Sequence, residues 1–157
     1  MPRTVFLYVL LVTLLITGCG SFSTPEPFNT PTTKPSTPGG NWTIKMTQSG
    51  GIMGLSRSVE VTSDGEYTVV DERTNKTVTG ELTANELSEL NELVMNSNYV
   101  PATKPDGMGC ADCFVYDFEI QVNGEKLSVQ LNDVSLPKSG LEPMVSYLRD
   151  LMDTALK

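Results

Sequence analysis

The sequence contains no histidine and only three cysteines among its 157 residues. Histidine is the usual general base near neutral pH and the commonest protein ligand of zinc. Its absence excludes serine–histidine and cysteine–histidine catalysis and zinc centres built on histidine. Only carboxylates remain, and Asp64, Asp106, Asp112 and Asp133 lie in turn-like contexts where aspartate satisfies the backbone. We therefore expect a protein that is not an enzyme and that holds no metal and no cofactor.

Basic residues are also scarce. Lysine and arginine number 11 against 19 acidic residues, which gives a net charge of −8 at pH 7. A nucleic-acid-binding surface needs clustered positive charge to neutralise phosphates. The composition therefore argues against nucleic acid as a partner.

No hydrophobic run is long enough to span a membrane. The longest covers residues 5–16, whereas a transmembrane helix needs about 20 apolar residues. Arg3 precedes this run, and small residues lead from it to Cys19, as in the lipobox of bacterial lipoproteins. We predict a signal peptide at residues 1–18 and a lipid on Cys19 that anchors the protein to the cell membrane, facing outside the cytoplasm. The lipid is then the only membrane contact; the alternative is a plain signal peptide with an incidental cysteine.

Residues 19–41 lack the aliphatic side chains that a core requires. Residues 20–41 hold five of the ten prolines, together with five threonines. Proline-rich chain favours extended polyproline II and acts as a semi-rigid spacer. We predict a stalk here, which follows the lipidated cysteine and precedes a folded domain at residues 42–157.

The folded part begins with four predicted strands. Alternation of apolar and polar residues places them near residues 42–46, 57–62, 66–71 and, more weakly, 77–82. A three-residue loop with Gly65 in the left-handed region would oppose Val61 to Tyr67 and Val59 to Val69. This register collects the apolar side chains on one face, whereas a two-residue turn does not.

A β-hairpin is the clearest local signal. Apolar residues alternate from Phe114 to Leu131 around Asn123-Gly124, which is the preferred dipeptide of a type I′ turn. Folding about this turn opposes Ile120 to Leu127, Phe118 to Val129 and Tyr116 to Leu131, all on the same face.

Two helices complete the pattern. Thr83 and Glu86 have the spacing of a capping box, and an apolar stripe follows at Leu87, Leu90, Leu93 and Val94. A last helix is predicted near residues 141–156. The order β-β-β-β-α-β-β-α indicates an α+β fold, with an antiparallel sheet of about six strands and both helices on one face.

Cys110 and Cys113 form the only C-x-x-C pair. Zinc would need two further ligands from carboxylates, and a thioredoxin-like centre usually has its first cysteine at a helix start, whereas here a strand follows. In an oxidising compartment, with Cys19 lipidated, a small structural disulfide fits the pair best. The three readings remain open at this point.

A glycine-rich segment lies between the first two strands. It presents Ile52, Met53 and Leu55 among Gly50, Gly51 and Gly54, and the glycines permit positive φ angles. The simplest interpretation is a turn. The alternative is an exposed apolar tip that contacts a partner protein, for which Gly51, Ile52, Met53, Gly54 and Leu55 are the candidate binding residues.

Three segments resemble emfourin, a protein inhibitor of thermolysin-like zinc metallopeptidases. They cover residues 49–55 (SGGIMGL), 111–118 (ADCFVYDF) and 133–137 (DVSLP). The resemblance extends over roughly residues 42–157 and implies a small α+β inhibitor whose loops block the active-site cleft of a secreted peptidase. It adds the loop from residue 106 to 113 as a second contact, with candidate residues Asp106, Met108 and Asp112. The alternative function is a lipoprotein module for ligand binding or envelope assembly, with no peptidase target.

Overall fold

Six strands and two helices follow one another in the predicted order. The computed structural model describes residues 40–99 and 110–157. The strands are β1 (Trp42–Gly50), β2 (Leu55–Thr62), β3 (Glu66–Asp71), β4 (Lys76–Glu81), β5 (Phe114–Val122) and β6 (Glu125–Asn132). The helices are α1 (Ala84–Met95) and α2 (Glu142–Ala155), with a short 3-10 helix at Leu136–Lys138. The α+β prediction is confirmed.

The six strands form one antiparallel sheet in the order β4-β3-β2-β1-β5-β6. β1 is central and pairs with β2 on one side and β5 on the other. It runs four residues beyond its predicted end at Met46, because the partner strands continue the hydrogen-bonded ladder as far as Gly50. The chain therefore closes the sheet by placing the late β5–β6 hairpin beside its first strand.

Both predicted registers are confirmed. Val61 lies opposite Tyr67 and Val59 opposite Val69, and Gly65 has a φ of 91° in the intervening loop. In the second hairpin Ile120 faces Leu127. Register and burial agree because a shift of one residue would move every apolar side chain of a strand to the opposite face.

The hydrophobic core lies between one face of the sheet and the two helices. The sheet contributes Trp42, Ile44, Met46, Val59, Val61, Val69, Tyr116, Phe118, Ile120 and Leu131, and the helices contribute Leu90, Val94, Met144, Val145, Leu148 and Met152. The capping box is present: Thr83 Oγ1 accepts from the Glu86 amide, and the Glu86 carboxylate accepts from the Thr83 amide. Both helices thus cover the same face, as predicted.

The opposite face of the sheet is polar. Ion pairs cross it between neighbouring strands, Lys45 with Glu60 at 2.9 Å and Lys126 with Glu119 at 2.8 Å. Exposed pairs of this kind contribute at most about 1 kcal/mol each. They make this face compatible with water, so the hydrophobic core lies only on the face that the helices cover.

The antiparallel arrangement gives the sheet two distinct ends. At one end, here called the tip end, β1 stops at Gly50, β2 starts at Leu55, β5 starts at Phe114 and β6 stops at Asn132. At the other, the entry end, the chain reaches β1 at Trp42, beside the turn after Val122. No helix within residues 40–99 and 110–157 is long and apolar enough to cross a membrane.

Candidate functional site

The loop between β1 and β2, residues 51–54, projects two large apolar side chains into solvent. Ile52 is 86% exposed and Met53 is 77% exposed. These are the largest exposures among the large apolar residues that the structure describes. We call this segment the tip loop. Its two apolar side chains point away from the core, so the segment forms an exposed apolar tip. Binding of a partner by this tip remains a prediction.

Leu55 occupies a different position from its neighbours in the glycine-rich segment. It is the first residue of β2, pairs with Gly50 and is partly buried. The exposed apolar surface of the tip loop therefore comes from Ile52 and Met53, with Leu55 at its base.

Glycines give the tip loop its conformation. Gly51 has a φ of 70° and Gly54 a φ of 57°, in the left-handed region that other residues rarely adopt. The Gly54 amide donates to the Gly51 carbonyl at 2.9 Å and closes the turn. The glycine pattern thus builds a tight turn that carries Ile52 and Met53 at its apex.

The tip loop is braced against the start of β5. The Gly51 amide donates to the Cys113 carbonyl at 3.2 Å. A Cβ atom on Gly51 would lie 2.6 Å from the Phe114 ring, and one on Gly50 would lie 2.6 Å from the Cys113 carbonyl oxygen. At Gly50 the Cys113 backbone leaves no room for a side chain, and at Gly51 the Phe114 ring would have to shift, so the two segments approach closely and the loop is held from one side.

The C-x-x-C turn forms that brace. The Sγ atoms of Cys110 and Cys113 lie at bonding distance, and their Cα atoms are 5.2 Å apart, within the range of disulfides. Asp112 is exposed in this turn. The turn therefore brings one predicted contact residue, Asp112, to the tip end beside the loop that carries Ile52 and Met53.

Asp133 joins the turn after β6 to the start of β5. One carboxylate oxygen accepts from the Phe114 amide at 2.7 Å, and the other accepts from the Tyr116 hydroxyl at 2.9 Å. Burial, and after it the hydrogen bond to Asp133, raises the pKa of Tyr116 to about 12. The sequence suggested only a turn aspartate here, but this residue connects two segments that are 19 positions apart.

A polar cluster lies beneath the tip loop on the helix face of the sheet. Gln48 is completely buried and accepts from Arg57 Nε at 2.9 Å, and Arg57 also pairs with Asp153 of α2. Sequence reasoning missed this cluster. Its signal was the polar residue at position 48, because the inward positions of β1 that precede it are apolar.

Other predicted site residues fall elsewhere. Cys19, Asp106 and Met108 lie outside the described residues. Within the described ranges no group of three or more cysteine, aspartate or glutamate side chains could hold a metal ion. The tip end therefore combines the tip loop, the C-x-x-C turn and the turn at Asp133.

The entry end carries a surface groove. Asn41, Thr43, Gln121 and Asn123 contribute to its lining. The ligand-binding alternative would use such a groove, which opens at the opposite end of β1 from the tip loop.

Comparison of the chain with models of known protein families and with curated proteins finds no match.

Proposed function

We propose that residues 42–157 form an inhibitor of a secreted thermolysin-like zinc metallopeptidase and that a lipid on Cys19 holds it at the cell membrane. The observation that carries this proposal is the tip loop, where Ile52 and Met53 are 86% and 77% exposed. The resemblance to emfourin supplies the class of target. This function requires no catalytic group in the inhibitor.

The energetic argument starts from the cost of exposing these side chains. Full burial of an isoleucine or methionine side chain contributes about 1.5–3 kcal/mol relative to exposure. In the free protein Ile52 and Met53 forgo most of this gain. A cleft that accepts both would recover it, and a few buried anchors usually dominate the affinity of an interface.

The braced backbone supports the same function. Close contacts with Cys113 and Phe114, together with the hydrogen bond between Gly54 and Gly51, restrict the tip loop before any partner binds. A restricted loop loses less conformational entropy on binding, and this raises affinity. The shape is also appropriate, since a narrow convex turn fits a concave active-site cleft.

The test is inhibition of a purified thermolysin-like peptidase by the whole mature protein in mild detergent. We expect Ile52→Ala and Met53→Ala each to raise the inhibition constant about tenfold, which corresponds to about 1.4 kcal/mol. Because both side chains are exposed, the melting temperature should change by no more than a few degrees.

A matched control is Met95→Ala, which removes a side chain that is 54% exposed at the end of α1. One helical turn earlier, Asn91 accepts from the Trp42 indole at the entry end, so Met95 is remote from the tip loop. Its inhibition constant should equal that of the wild type. Lack of inhibition by the wild type at high micromolar concentration, against several such peptidases, would contradict the proposal.

A further inference from the structure

We infer that Val134 is a second apolar anchor of the inhibitory surface, and that the target cleft takes it at an apolar site separate from the one that takes Ile52. This inference rests on the proposed function and extends its contact surface. Val134 is 50% exposed in the turn that follows β6. Among the residues that the structure describes, the large apolar side chains exposed at the tip end are then Ile52, Met53 and Val134.

The sheet fixes the relative position of the two apolar sites. β6 is the second strand from β1, with β5 between them. Gly50 faces Phe114, and Val115 faces Asn132, so β1 and β6 end at nearly the same level. Neighbouring strands are about 4.8 Å apart. The turn with Val134 therefore leaves the sheet roughly 10 Å to the side of the tip loop.

The turn around Val134 is held by its own side chains. Asn132 Oδ1 accepts from the amides of Val134 and Ser135, at 3.0 and 2.9 Å. Ser135 Oγ in return accepts from the Asn132 amide at 2.9 Å. Three hydrogen bonds within four residues hold the backbone of the turn that carries Val134.

Burial of the flanking residues directs Val134 outward. Leu131 lies in the core on one side of the turn, and Leu136 lies in the core on the other. With both ends of the turn anchored, the intervening apolar side chain stays at the surface. A β-branched side chain also has few rotamers to lose when it is buried. Val134 is thus an apolar side chain that the turn holds at the surface before a partner binds.

Two aspartates near Val134 and the tip loop restrict the charge that a complementary peptidase surface can carry. Asp112 and Asp133 are exposed between and beside the apolar contacts. Asp133 is already engaged by Phe114 and Tyr116, whereas the Asp112 side chain faces solvent. The complementary surface on the peptidase therefore has two apolar sites about 10 Å apart, with neutral or basic groups between them.

The test compares substitutions of Val134 in the full mature protein, with the peptidase assay described above. We expect Val134→Ser to raise the inhibition constant five- to tenfold and Val134→Asp to raise it more than a hundredfold. Val134→Thr keeps the branched shape and should fall between the wild type and Val134→Ser. Because the residue is half exposed, all three variants should melt within a few degrees of the wild type.

Matched controls are Met95→Ser and Met95→Asp, which make the same chemical changes at a residue of similar exposure away from the tip end. Neither should alter the inhibition constant. Effects of Ile52→Ala and Val134→Ser should multiply in the double variant, because sites more than 7–10 Å apart act independently.

The outcomes separate the two proposals. Inhibition by the wild type that Ile52→Ala weakens, but that Val134→Ser and Val134→Asp leave unchanged, overturns the second anchor and retains the proposed function. A wild-type protein that inhibits no thermolysin-like peptidase overturns both. If Val134→Ser lowers the melting temperature strongly, its inhibition constant is set aside and the other two variants are used. Inhibition constants of Val134→Thr and Val134→Asp that both equal the wild-type value then overturn the second anchor.

Discussion

Removal of the Asp133 carboxylate should destabilise the tip end, although the residue itself is exposed. Asp133→Ala deletes both of its hydrogen bonds, to the Phe114 amide and to the Tyr116 hydroxyl. Asp133→Asn keeps one acceptor oxygen and is the matched partial change. Because the hydroxyl of Tyr116 belongs to a buried residue, its lost partner is not fully replaced by water.

The magnitude follows from the two bonds. A hydrogen bond to a charged group contributes about 1.5–3 kcal/mol, and the lower end applies because Asp133 is itself exposed. Asp133→Ala should therefore lower the free energy of unfolding by about 3 kcal/mol, and Asp133→Asn by about 1.5 kcal/mol. For a domain of roughly 116 residues, 1 kcal/mol corresponds to about 4 °C, so the alanine variant should melt about 12 °C lower.

Urea unfolding followed by tryptophan fluorescence measures the change, since Trp42 is the only tryptophan and is buried. A double-mutant cycle with Tyr116→Phe then isolates one bond. The two substitutions share a partner, so their effects should fall short of additivity by about 1 kcal/mol. A loss below 0.5 kcal/mol for Asp133→Ala, or strict additivity with Tyr116→Phe, would refute the assignment of Asp133 as the connector of these segments.

Three further predictions concern other parts of the chain. Burial raises the pKa values of Tyr116 and Tyr147 to about 12, whereas an unfolded tyrosine titrates near 10. The free energy of unfolding, measured by urea titration, should therefore be constant just below pH 10 and decrease from pH 10 to 12. The decrease should be smaller in Tyr116→Phe. Gly51→Ala should lower the free energy of unfolding by about 2–3 kcal/mol, because the new side chain meets the Phe114 ring and the residue also has a left-handed φ. Gly54→Ala should lower it by only about 1 kcal/mol, because the space around Gly54 is open. Equal losses in the two variants would contradict the bracing of the tip loop. Cys19→Ser should release the protein from membranes into the soluble fraction, and retention of a metabolic lipid label by this variant would disprove lipidation at that position.

Most of the sheet could be predicted because short-range signals agreed with one another. The Asn123-Gly124 turn and the alternation around it fix a single register, and Gly65 does the same for β2 and β3. The capping box likewise set the start of α1. In each case turn chemistry and hydrophobic pattern lie within a few residues, so no knowledge of distant contacts was needed.

The tip end was harder to predict because its determinants are distant in sequence. The glycine pattern suggested an apolar tip, but the bracing contacts with Cys113 and Phe114 depend on β5 lying next to β1. The function of Asp133 depends on that pairing as well. The buried Gln48 with Arg57 also could not be derived, since α2 supplies the aspartate that completes the cluster.

The position of β1 has a mechanical consequence. The chain that precedes the domain enters at one end of this strand and the tip loop leaves at the other, about 27 Å away. A pull between the preceding chain and a partner that holds the tip loop therefore acts along the strand. Both points of force lie on this one extended strand, so its covalent backbone carries the tension, and the hydrogen bonds to β2 and β5 are not placed under load. The domain can therefore stay folded while a pull passes between the preceding chain and a partner bound at the tip loop.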